Sequence, residues 1–421
     1  MNIRDGLAGM FSGVGRALSQ KNYRFYAMGH IAHVHGWWGN RMGIGWLTWQ
    51  LTESATWLGI MTMASMIPVT VISPIAGAIA DRYGQRRTAM AAALCGSAIT
   101  WVMCGLVITG HISLPVLVGL TILQGTVFGL EFPSRQALIP QLVGRANIPA
   151  AIAFNSTSFN VGTFIGPVIA GFLISKFNPG AAVMLYACTT LWMAFMLYNI
   201  DVESPVRGGT SAIAALIGDI REGFRYAGEE RGLILLFLIT FTQGFFLRSY
   251  ADLLPGFADT VFGRGAQGLG WLNGSAGVGA LFISVWMMIR SRTVGLVRLM
   301  IISGLITGLS LIGFALTPVF NFALPILAVV AGSLLAAQVA SYSLIQTISR
   351  NDMRARVISI NVSLIMGGPA LGVFAIGSLA DRIGLSAAEM CAGTAAVVLI
   401  LAMAPGLMRR RADIEADRSQ T

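Results

Sequence analysis

Apolar residues in this chain gather into twelve long runs, at about 24–50, 56–80, 88–110, 113–133, 150–175, 180–200, 232–254, 267–289, 294–316, 319–345, 357–380 and 385–407, with short polar stretches between them. Each run supplies the roughly 20 residues that a helix needs to cross a bilayer. Hydrocarbon offers the backbone no partner, so a run buried in it closes its own hydrogen bonds as a helix. No run alternates with period two, which argues against a barrel. The pattern therefore predicts an all-α membrane protein with twelve transmembrane spans, numbered here in chain order. A break in hydropathy at 201–231 divides them into a six-helix half at 1–200 and another at 232–408, followed by a charged tail at 409–421 that is expected to be disordered. Within the break, Ile213, Leu216, Ile217, Ile220, Phe224 and Ala227 keep helical spacing. That spacing predicts an amphipathic helix lying on the inner membrane surface.

Composition agrees. The chain is 55% hydrophobic and only 11% charged, where soluble domains carry about 25% charged residues. Its net charge of +10 is distributed asymmetrically. With the N-terminus inside, only Lys176, Arg264 and Arg382 fall in outer connections, Arg41 and Arg248 fall within spans, and all other Lys and Arg are cytoplasmic. This bias predicts both termini in the cytoplasm. Basic residues scattered over many loops form no patch for nucleic acid. The first twenty residues lack a long apolar core, so no signal peptide is expected. Cys95, Cys104, Cys188 and Cys391 lie within spans without CxxC spacing and are expected to act as small packing residues, with no disulfide.

Spans 2 and 3 are joined by Gly77-Ala-Ile-Ala-Asp81-Arg82-Tyr83-Gly84-Gln-Arg86-Arg87. An Asp and three Arg do not belong in hydrocarbon, so this turn sits at the membrane surface. The pattern G-x-x-x-D-R-x-G-x-R-R between two spans resembles the signature loop of the major facilitator superfamily. GAIADRYG at 77–84 recurs as GSLADRIG at 377–384, after spans that run in opposite directions. That is the inverted internal symmetry of a transporter built from nested repeats. Small residues recur in spans 5 (Gly162, Gly166, Pro167, Gly171) and 11 (Gly368, Pro369), where helices can approach closely. The span 5 pattern resembles the motif associated with exporters, with Ala153 in place of its first glycine. The family's span 4 motif carries an arginine about where this chain has Gln124, a departure that argues against proton coupling through that position. The segment FPSRQALIPQLV after span 4 and the Gly-Pro helices are most similar to the bacterial branch containing the enterobactin exporter. The resemblance implies two six-helix halves that rock about a central cavity in the bacterial inner membrane, in a monomer. It also implies that Asp81 meets the N-terminal dipole of span 11 in one state, with Gly77, Arg82, Gly84, Arg86 and Glu131 in the same gating region.

Candidate substrate contacts come from polar groups inside spans. In span 1, His30, His33, Trp37, Arg41 and Thr48 share a sector of about 80°, which should face a wet cavity because a charge facing lipid is costly; alternatively, Arg41 snorkels to the outer interface. No acidic or thiolate partners accompany the histidines, so no metal is expected. Gln124, Phe128 and Glu131 share a face of span 4. In span 7, Gln243, Phe246 and Tyr250 share one face, and Arg248 and Asp252 another, either as a self-neutralising pair or as substrate contacts. Gln338, Ser341 and Tyr342 line one side of span 10.

No Ser/His/Asp set, HxxxxD motif or phosphate-binding loop occurs, so neither an enzyme nor direct ATP drive is indicated, and no cofactor is expected. The sequence reads as a secondary transporter, an exporter of a small organic, anionic, siderophore- or drug-like molecule that uses protons. An importer of the same fold is the alternative, with a membrane-embedded enzyme behind it.

Overall fold

A computed structural model of the chain describes residues 13–202, 230–290, 295–350 and 353–415, isolated positions between 222 and 228, and no side chain for Pro74, Ala78, Asp81, Met288 or Ala355. The described residues are helical and contain no strand. The helices are α1 (Lys21–Thr52), α2 (Ala55–Tyr83), α3 (Gln85–Ile108), α4 (Leu114–Leu142), α5 (Ile148–Lys176) and α6 (Pro179–Tyr198). They continue with the composite α7 (Arg231–Val261), α8 (Gly265–Arg290), α9 (Leu296–Leu316), α10 (Phe320–Ile348), α11 (Arg354–Ile383) and α12 (Leu385–Arg409). Eleven of the twelve are apolar and long enough to cross a membrane on composition alone. The twelfth, α1, has the length but carries the polar residues singled out above. Proline opens α4, α5 and α6 in their first turns, where its missing amide hydrogen costs nothing. Threonines within the spans turn their hydroxyls back onto the carbonyl four residues earlier, as Thr48, Thr121 and Thr240 do, which satisfies the hydroxyl donor within the helix.

By contact the chain forms two units. The first holds residues 1–51 and 64–212, the second 52–63 and 213–421. In the first, Gly29, Gly36 and Gly43 of α1 bring the backbone against Met193, Tyr186 and Ala182 of α6. Gly162 and Gly166 of α5 close on Val34 and Trp38 of α1. Gly125 and Gly129 of α4 meet Ser65 and Val69 of α2. A side chain at any of these would separate the helices, so the small-residue pattern of span 5 acts through contact with α1.

In the second unit, Gly244 of α7 packs on Leu364, Gly368 and Pro369 of α11, and Gly304 and Gly308 of α9 pack on Ile400 and Gly393 of α12. α7 is interrupted by two π turns, Gln243–Leu247 and Phe257–Val261.

Three expectations need revision. The tail is ordered as far as Glu415. A short helix α13 (Arg411–Glu415) buries Ile414 completely, and Glu415 accepts the backbone N–H groups of Gly295 (2.9 Å) and Val297 (3.1 Å) at the start of α9. Arg135, assigned to a cytoplasmic connection, is buried inside α4. Of the four free cysteines only Cys104 is packed away; Cys95, Cys188 and Cys391 lie on the exposed surface. The amphipathic linker helix falls mostly outside the described residues. Its described part docks in the second unit, where Glu222 pairs with Arg356 at 2.8 Å and Tyr226 lies under Arg350.

Candidate functional site

The first unit is tied together through α1. Tyr23 donates to the Ala151 carbonyl (3.0 Å), and His30 Nε2 lies 3.3 Å from the Asn155 carbonyl while its ring stacks on Tyr26. His33 places Nδ1 3.4 Å from Thr190 Oγ1 and Nε2 3.4 Å from Glu131 Oε1. Arg135, one turn beyond Glu131, brings Nε to 3.2 Å from the same oxygen. His33, Glu131 and Arg135 are 1%, 1% and 3% exposed. Their contacts are at ion-pair distance but miss hydrogen-bond alignment, leaving His33 Nε2, Glu131 Oε1 and the Arg135 Nε and NH1 groups without a properly directed partner. A buried cluster of three ionisable groups that is only partly satisfied is costly to stability, which marks it as a candidate functional element.

One turn along the same two helices stands an aromatic shelf. Trp37 stacks on Phe128 (5.7 Å between centroids, 20° between planes), and Phe128 stacks on Phe132 (5.7 Å). Trp38 and Phe159 of α5 close its side. The Arg41 guanidinium lies 5.9 Å over the Trp37 ring. Spacing alone sets this out. His33 and Trp37 are four apart on α1, Glu131 and Phe128 three apart on α4, so both helices present charge and aromatic surface at matching levels. Gln124 is a junction at the next level: it accepts from Asn40 of α1 (3.2 Å) and donates to Thr100 of α3 (2.8 Å).

The sequence-derived set thus divides. Trp37, Arg41 and Phe128 come together at the shelf, and His33 and Glu131 meet in the buried cluster. His30 and His33 are packed between helices instead of facing open space. Arg135, Trp38, Asn40, Phe132 and Phe159 went unrecognised; Phe132 carries no signal beyond its spacing of four from Phe128 on α4, and Phe159, the shelf's one contributor from α5, carries none.

In the second unit Gln243 is fully buried at the first π turn with neither amide atom partnered. Tyr250 is buried, with Arg248, Asp252 and Glu389 as its charged neighbours. Glu389 of α12, a residue that the sequence reading passed over, is wholly buried with both carboxylate oxygens unpartnered. Gln338 is half-buried and Tyr342 exposed on α10, beside Ser341, which bonds Thr240 of α7 at 2.6 Å.

Of the gating residues, Arg86 reaches across to the end of α6, donating to the Leu197 (2.9 Å) and Tyr198 (2.6 Å) carbonyls. A cation there also suits the negative end of the helix dipole. Arg82 lies over Tyr83, and Gly77 faces open space. The side chain of Asp81 lies outside the described residues. Among those residues no group of three or more His, Cys, Asp or Glu could hold a metal ion.

Twelve helices in two pseudo-symmetric halves, closed by the repeated Asp-Arg-x-Gly turns, define a transporter of the major facilitator fold. The family profile described as transmembrane secretion effector matches residues 15–420, and the chain belongs to that family. It is 27% identical over 363 residues to the multidrug efflux pump Tap of Mycobacterium tuberculosis (strain ATCC 25618 / H37Rv), covering 81% of this chain and 83% of the pump. It is 23% identical over 290 residues to the staphyloferrin A transporter of Staphylococcus aureus (strain NCTC 8325 / PS 47), covering 69% of this chain and 72% of that protein. In fold it is similar to a POT family transporter solved with 5-aminolevulinic acid (TM-score 0.73, 14% identity, 96% of both chains). It is also similar to the inward-open xylose transporter XylE from E. coli (TM-score 0.65, 16% identity, 90% of this chain and 95% of that one). The chain is a multi-pass membrane transporter of small molecules and not an enzyme.

Proposed function

We propose that this transporter exports a small organic anion with aromatic character from a bacterial cytoplasm in exchange for protons, crossing the inner membrane as a monomer with both termini inside. The observation that carries this reading is the Arg41 guanidinium over Trp37, itself stacked on Phe128. A fixed positive charge beside ring faces favours a planar anion and repels a lipophilic cation. A substrate resting on the shelf lies one helical turn, about 5.4 Å, from the His33–Glu131–Arg135 cluster, close enough for its charge to alter how a proton is held there. The efflux-pump relatives and the exporter-like Gly-Pro helix of α5 support outward transport. They also fit a place near the siderophore-exporting branch.

Inside-out vesicles with an imposed pH gradient provide the test. An aryl carboxylate should accumulate in vesicles carrying the protein, more slowly with Arg41→Lys, which keeps the charge but loses the planar fork, and more slowly still with Arg41→Gln. Equal transport of matched aromatic cations, or no effect of Arg41→Gln on anion uptake, would refute the assignment.

A further inference from the structure

The repeated turn is built the same way both times: Gly84 and Gly384 each hold φ at 89°, a conformation that a side chain disfavours. In the second copy the aspartate has a visible task. Asp381 accepts the backbone N–H groups of Ala55 (2.7 Å) and Thr56 (3.1 Å) and the hydroxyl of Ser54 (2.6 Å). Ser54 Oγ in turn accepts the Trp57 N–H at 3.4 Å. α2 has no acidic residue in its own first turn, so α11 supplies the negative charge that a helix N-terminus favours. The two helices approach backbone to backbone. A Cβ on Gly377 would strike the Ala55 carbonyl, and one on Gly59 would strike the backbone of Phe374.

The placement of this contact is informative. Residues 52–63 belong by contact to the second unit, whereas the rest of α2 belongs to the first. Any rearrangement that returns the start of α2 to the company of its own helix must first open the Asp381 contact. The contact is suited to that. Its carboxylate is exposed, so the charge–dipole attraction is modest. Surfaces made of glycine can part without unpacking side chains.

We propose that Asp381 is a positioning residue of the transport cycle, a latch that holds the first turns of α2 to α11 at the end opposite the Asp81 turn and that must break and re-form in each cycle. The proposal rests on the chain being a transporter, and on neither its direction nor its substrate.

The test uses the full-length protein in lipid nanodiscs without substrate. Cys95, Cys188 and Cys391 are replaced by Ala, and native Cys104, which is buried, remains as an internal control. Ala55→Cys places a thiol where the latch covers the chain. Adding Asp381→Asn should raise the rate of maleimide labelling at position 55 about two- to fivefold, the scale of one lost charge–helix interaction at an exposed site, and Asp381→Glu should restore it in part. Labelling of Cys104 should not change, which separates release of the latch from general loosening. If Asp381→Asn does not insert, Ser54→Ala, which removes only the hydroxyl donor, should give a smaller rise at the same position. An unchanged rate at position 55, or an equal rise at Cys104, would show Asp381 to be an ordinary static cap.

Discussion

Replacing Glu131 with Gln keeps the size of the side chain and removes its charge, leaving Arg135 buried without its partner. At 3.2 Å and an effective dielectric constant near 20, the lost attraction is about 5 kcal/mol before the cost of burying the two charges is subtracted. Breaking a buried pair from one side typically destabilises by about 3–5 kcal/mol, whereas replacing both members by apolar groups is often close to neutral. Glu131→Gln should therefore lower the thermal unfolding midpoint in detergent markedly, and Arg135→Met should do so too, by leaving the buried Glu131 carboxylate without its guanidinium partner. The double variant Glu131→Gln/Arg135→Met should be more stable than the sum of the single effects by about 1–3 kcal/mol. Purified variants compared by differential scanning fluorimetry, with matched denaturant titrations, measure this coupling. Strict additivity, or a Glu131→Gln midpoint equal to that of the wild type, would mean that the contact carries no energy and that the cluster is not the charged element described.

Asp81→Asn should insert normally yet reduce transport at least several-fold at equal expression, because the state it favours loses its bias; unchanged transport would make the turn a topology signal only. A reporter active only in the cytoplasm should work when fused after Arg207 and after Arg411 but not after His111, and activity at His111 would overturn the orientation.

The fold was legible because lipid simplifies the problem: twelve apolar runs of spanning length admit little except twelve helices. The duplicated turn was legible for a similar reason, since Gly84 and Gly384 fill a position where few other residues fit. The candidate site was legible only along single helices. His33 and Trp37 on one span, and Glu131 and Phe128 on another, follow from a period of 3.6, but their meeting across α1 and α4 depends on which glycines pack where. Arg135 was misplaced because a charge two residues after a proline reads as a loop; α4 instead runs on through Pro133 and Pro140. Glu389 gave no signal at all, since one acid near the start of a span resembles an interfacial residue until its neighbours are known. The ordered tail was missed because its anchors, Ile414 and Glu415, are single residues in a stretch otherwise rich in charge.

The π turns of α7 bear on how sequences of this kind should be aligned. A turn closed by a bond to the fifth residue holds one amino acid more than its α counterpart, so the stretch from Gln243 to Leu247 sets everything after it back by about 100° relative to an unbroken helix. Grouping Gln243 with Tyr250 by constant rotation therefore rests on an angle that the chain does not keep. A transporter whose seventh helix lacks the wide turn would be one residue shorter there. A gap placed in a neighbouring loop, as alignment habits favour, would match its polar positions to the wrong faces of α7.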